Sequence, residues 1–101
     1  RELLQAGFIR PAGMIAGVVL EKHLAQVCTN HNLKLTKKRP TISDFNDTLK
    51  NNKVIDTATW RHIQRLGDLR NLCAHNGDRD PAEDEVDELI RGTEKYTKSL
   101  F

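Results

Sequence analysis

Several signals are missing from this chain, and each absence removes a class of function. Only two cysteines occur, Cys28 and Cys73, both in apolar surroundings, and they form no metal-ligand pattern. Cys28 and His31 are three residues apart and Cys73 and His75 two, so a zinc site would need those pairs to meet by coincidence. Small buried thiols in a reducing cytoplasm fit such cysteines best, and no metal or other cofactor is expected. The uncharged run from Pro11 to Leu20 is too short to span a bilayer and holds a proline and two glycines. No secretion signal, internal repeat or low-complexity segment is visible. Alternating β-branched residues are nearly absent, which argues against strands.

At 101 residues the chain is one domain, residues 1–101, with a modest core. It opens on Arg1, so it is expected to be excised from, or to stand C-terminal in, a longer protein. The net charge of +2 hides an asymmetry. Residues 1–40 hold seven Lys and Arg against two acids, and residues 78–101 hold four against eight. The basic excess peaks at Lys34, Lys37, Lys38 and Arg39 in a loop, the acidic excess between Asp78 and Glu88. A basic loop contacts phosphates in one reading and is a solvated surface in the other.

Apolar residues recur at helical spacing, which gives an all-α fold. A first helix should run from about Glu2 to Thr29, bent at Pro11. Its stretch from Ala12 to Leu20 is apolar nearly all round, so it is central in the bundle or covered on one side by a partner. A short helix should follow from Thr41 to about Asn51, capped by Thr41 and Asp44, with Ile42, Phe45 and Leu49 inward. A third should start at Asp56, with Ile55 and Trp60 placed as a hydrophobic staple, and end around Asn76, with Gly77 in the left-handed closing position. Asp80 and Pro81 should open the last helix, with Glu83, Asp84 and Glu85 at the positive end of its dipole. Together these predict an up-and-down bundle of four helices, or five.

The third helix carries the chemistry. On a helical wheel Trp60, Ile63, Leu66, Gly67, Leu69, Cys73 and Ala74 share an apolar arc, while Arg61, Gln64, Asp68, Asn71 and His75 form a polar stripe. Arg70 projects from the middle of the apolar arc. A buried guanidinium is costly unless paired, and Glu21, equally misplaced on the first helix, is its internal candidate for a structural salt bridge. The alternative is that Arg70 and His75 serve one scissile phosphate. Five positions on a regular helix separate them by about 140° and roughly 7.5 Å of rise, so one straight helix does not aim both at one atom. Fraying before Gly77 or a two-fold dimer would bring such groups together. An imidazole suits both proton abstraction and proton donation, and Asn71, one turn before His75, can orient it or a phosphate oxygen. His23 and His62 read as surface or packing residues, and His31 lies beside the basic loop.

The segment Arg70-Asn71-Leu72-Cys73-Ala74-His75, late in a helix of a small all-α domain, resembles the signature of the HEPN superfamily: an arginine, often a polar residue after it, then a histidine. The stretch from Gly7 to Gln26, with Leu20-Glu21-Lys22-His23-Leu24 at its centre, is similar to the first helix of many such domains. The resemblance covers about half the chain. It implies a HEPN-like bundle, usually a homodimer, whose shared cleft is lined by both copies of the motif. It further implies a metal-independent endoribonuclease of toxin–antitoxin or phage-defence systems, acting on RNA in the cytoplasm without membrane association. Carried onto this chain, it makes His75 the general acid/base, Arg70 the phosphate ligand and Asn71 an aid, with Glu21 and Asp68 supporting. Lys34, Lys37, Lys38 and Arg39 would hold the strand, and an antitoxin or the rest of the parent protein would be a further partner. A second expectation is a non-catalytic module of the same fold that dimerises or docks a larger defence or restriction-type protein.

Overall fold

The computed structural model describes residues 1–75, 77 and 79–101. These form five helices: α1 (Glu2–Gln5), α2 (Ile9–Asn30), α3 (Ile42–Asn51), α4 (Thr57–Ala74) and α5 (Glu83–Ser99). The all-α expectation holds, and the expected bend in the first helix is instead a break. Gly7 adopts φ +88°, a left-handed conformation open to glycine at little cost, and the chain turns there before α2 begins. Pro11 lies in the first turn of α2, where its missing N–H leaves no hydrogen bond unmade.

The caps follow the sequence for α3 and α4. Asp44 accepts from the Thr41 N–H at 2.8 Å while Thr41 Oγ1 accepts from the Asp44 N–H, a reciprocal capping box. Asp56 accepts from the Thr59 N–H at 2.7 Å, and Ile55 and Trp60 both join the core below it. At α5 the expectation fails. Ala82, not Asp80, occupies the N-cap, and Glu85 reaches back to the Ala82 N–H at 3.0 Å. Arg79 grips the same carboxylate at 2.6 and 2.8 Å, while Asp80 is turned toward α2.

The helices do not simply alternate up and down. α4 runs antiparallel to α2, since Gly13 faces Cys73 and Gly17 faces Arg70. α5 runs parallel to α2: Gly13 faces Val86, Thr93 Oγ1 reaches Ala16 O, and His23 Nε2 lies 2.6 Å from Leu100 O. α3 is antiparallel to α4, with Asn46 bonded to Trp60 O and Gln64 and with Ile42 under Gly67. It therefore runs in the same sense as α2. Residues 31–41 make this possible by returning along the bundle before α3 starts, which carries the basic loop back toward the middle of α4.

The core is aliphatic, with Leu20, Leu24, Val27, Leu49, Ile63, Leu66, Val86 and Leu89 fully buried. Tyr96 is buried on α5 as well. α2 is central and touches every other helix. Its outer face remains bare: Met14, Ile15, Val18 and Val19 are 44–55% exposed. Among the described residues no helix is long and apolar enough to cross a membrane.

The capping carboxylates set the acid stability. The Thr41 backbone N–H, foremost, holds Asp44 below its ordinary pKa, and the Thr59 N–H does the same for Asp56. The Arg79 fork, followed by the Ala82 N–H, lowers Glu85 to about 2. A carboxyl depressed in the folded state contributes stability above its unfolded pKa and loses it as pH falls through the folded value. Thermal denaturation should therefore show Tm falling from about pH 4 toward about pH 2. Glu85→Gln should lower Tm at neutral pH and flatten the lower part of that acid limb.

Candidate active site

The last turn of α4 has four carbonyls with no partner within the helix, and no basic side chain of its own to meet them. Arg10, in the first turn of α2, supplies the donors. Its Nη1 donates to Leu72 O, Cys73 O and His75 O at 3.0, 2.9 and 3.0 Å, and its Nη2 to Asp80 at 2.9 Å. One guanidinium thus closes the helix and fastens the following segment. The helix ends at Ala74, so Gly77 comes too late to be its closing residue. The expected terminus at Asn76 and the start of the acidic run at Asp78 lie outside the described residues.

His75 is consequently released from the helix. It has extended backbone at φ −113° and ψ 138°, its side chain is exposed, and its carbonyl is held by Arg10 and by the Gly77 N–H. The regular-helix objection to pairing Arg70 with His75 no longer applies in its simple form.

Arg70 takes a different course. Its stem lies against α2, where a Cβ on Gly17 would overlap Arg70 Cγ; only a glycine leaves room for it. The guanidinium donates to Asn71 Oδ1 at 3.3 Å. The salt bridge with Glu21, one of the two readings of Arg70, is not formed: among the described residues no carboxylate oxygen lies within 4.0 Å of it. Burial of the stem by Gly17, with the head left partly exposed, removes the need for an internal counter-charge.

Arg70, Asn71, Glu21, Asp68, Gln64 and Arg39 line one pocket of about 320 Å³, between α4 and the returning loop. Five of the sequence candidates therefore meet. His75 is not among the lining residues, and neither are Lys34, Lys37 and Lys38. Lys37 pairs with Asp44 at 3.2 Å, while Lys34 stays exposed on a separate groove. The basic loop is thus split, with Arg39 alone facing Arg70.

Arg10 escaped the sequence reading because its partners lie more than sixty residues away. The available signal was negative: a last turn without a basic side chain needs a donor from elsewhere. His62 is a second titratable group outside the motif, with Nδ1 2.6 Å from Tyr96 Oη. Burial, then Lys95, pushes its pKa below the ordinary value. Cys28 and Cys73 are buried thiols, with pKa values raised by that burial.

No protein-family model matches the chain, and neither a curated protein nor a solved structure matches it significantly.

Arg10→Ala should fray the end of α4. The expected cost is about 1–2 kcal/mol, below the sum for charged hydrogen bonds because the site is partly exposed. Hydrogen exchange should quicken at the Cys73, Ala74 and His75 amides and stay unchanged at Leu66 and Leu69.

Proposed function

We propose that the chain is a HEPN-type domain that acts as a two-fold homodimer and cleaves single-stranded or looped RNA without a metal, in toxin–antitoxin or phage defence. The observation that carries this reading is the state of Arg70. It has a buried stem, a guanidinium with no carboxylate partner among the described residues, and an open pocket shared with Asn71 and Arg39. A cation presented in that way is suited to a phosphate. His75 stands exposed at the end of the same helix, where RNA can reach it.

In this mechanism the ribose 2′-oxygen attacks the adjacent phosphorus and gives its proton to His75 of one copy. The bond from phosphorus to the 5′-oxygen breaks, and that oxygen takes a proton from His75 of the second copy. The products are a 2′,3′-cyclic phosphate and a 5′-hydroxyl. Arg70 stabilises the charge that builds on the phosphoryl oxygens, and Asn71 holds the guanidinium in place.

The dimer is supported by the bare face of α2. Met14, Ile15, Val18 and Val19 form a strip that pairs with itself when two α2 helices lie antiparallel, Met14 opposite Val19 and Ile15 opposite Val18. Arg70 crosses α2 at Gly17, at the margin of that strip, so such a pairing brings the two motifs to neighbouring edges. The same strip favours the second reading, a non-catalytic module that docks a larger protein.

Wild-type protein should cut RNA in the presence of EDTA, leave DNA intact and yield cyclic phosphate ends. His75→Ala and Arg70→Ala should each slow cleavage by roughly 10²–10⁴-fold. Ile15→Asp with Val18→Asp should shift sedimentation to the monomer and remove activity together. Equal cleavage by His75→Ala rules the mechanism out, and a dimer with no cleavage by any form favours the docking module.

A further inference from the structure

The pocket beside Arg70 has a composition that phosphate binding alone does not explain. Two guanidiniums, from Arg39 and Arg70, and two carboxylates, from Glu21 and Asp68, surround about 320 Å³. Among the described residues none of the four is within 4.0 Å of an opposite charge. Pro40 and Ile42 add apolar surface, and the space matches the lower end of small-ligand sites, about 300 Å³. Opposite charges that share a cavity without pairing are arranged for a ligand that offers donors to one and acceptors to the other.

We propose that this pocket reads a single unpaired guanine of the RNA, the base next to the cleaved phosphate. This rests on the ribonuclease reading above. Guanine carries two adjacent donors, N1–H and the N2 amino group, which match the two oxygens of a carboxylate. It also carries two adjacent acceptors, O6 and N7, which match a guanidinium fork. Adenine, cytosine and uracil each lack one of these pairs. Glu21 lies one turn along α2 from Gly17, on the side where Arg70 crosses, which leaves Asp68 and Arg39 for the base. Asp68 takes the donor edge and Arg39 the acceptor edge, with Pro40 and Ile42 against the ring, while Arg70 keeps the phosphate. Single-stranded RNA permits this because an unstacked base exposes both edges.

The test is titration of the full chain with 5′-GMP, AMP, CMP and UMP, followed by NMR, with a uridine oligonucleotide holding one guanosine as the RNA arm. GMP should bind about ten-fold tighter or more than the other three. Asp68→Asn replaces one acceptor with a donor and should move the preference from GMP to XMP, whose C2 carries an oxygen. A merely structural role for Asp68 would not produce that exchange. Equal binding of the four nucleotides, or selectivity unaltered in Asp68→Asn, overturns the proposal. If RNA is not cut but GMP selectivity and the XMP exchange hold, the nuclease reading falls and the guanine site stands. If RNA is cut with no preference for guanosine, the guanine site falls and the nuclease stands.

Discussion

α2 and α4 approach closely because Gly13 and Gly17 put no side chain between them. Cys73 occupies the room beside one and the stem of Arg70 the room beside the other. Everything that gives α4 its chemical character depends on this contact. Without it a guanidinium on the apolar arc would need an internal carboxylate, and the Arg70–Glu21 pair would become the natural outcome. With it, the aliphatic stem is buried against backbone and the charged head emerges beside α2. The same antiparallel crossing brings Arg10 level with the last turn of α4, where it replaces the missing glycine closure and leaves His75 in extended backbone.

Local chemistry in the sequence was enough to place α3 and the start of α4. Thr41 with Asp44 and Asp56 with Thr59 are contacts over three residues, and the apolar spacing of Ile63, Leu66, Leu69 and Cys73 defines one face without outside help. The features that were missed depend on partners far along the chain. Asp80 resembles a cap because of its type and the proline after it, yet Arg10 draws its carboxylate away and Glu85 serves the helix instead. Alternating helices were expected because short connections favour antiparallel neighbours. The segment 31–41 is long enough to run back along the bundle, and nothing in its composition announces that path. The set of candidate residues was legible from their types and spacing. Its division into an Arg70 pocket and a separate His75 was not, because that depends on where α4 ends.

That division constrains any chemistry. On the proposed ribonuclease reading, the cation held in a pocket and the imidazole outside it are half-sites, each with one of the two capacities that phosphodiester cleavage requires. Arg39 reaches the pocket only because the returning loop passes there, while Lys34 and Lys37 face other surfaces. The loop therefore contributes position more than bulk positive charge. A diffuse basic patch would bind any polyanion, whereas one arginine that shares a pocket with Asp68 is the arrangement the proposed guanine site needs.

The bare strip on α2 bears on whether the half-sites combine. Exposed apolar side chains are ordinary when scattered, but Met14, Ile15, Val18 and Val19 are contiguous and lie on the helix that already touches all the others. Covering them with another segment of the same bundle is difficult, since α1, α3, α4 and α5 already pack on its other sides. In the proposed homodimer a second copy covers them, offering the same four residues in reverse order. Arg70 enters beside Gly17, the residue next to the centre of such a pairing. On that reading the partner copy lies beside Arg70, which couples association to the chemistry of its pocket by position.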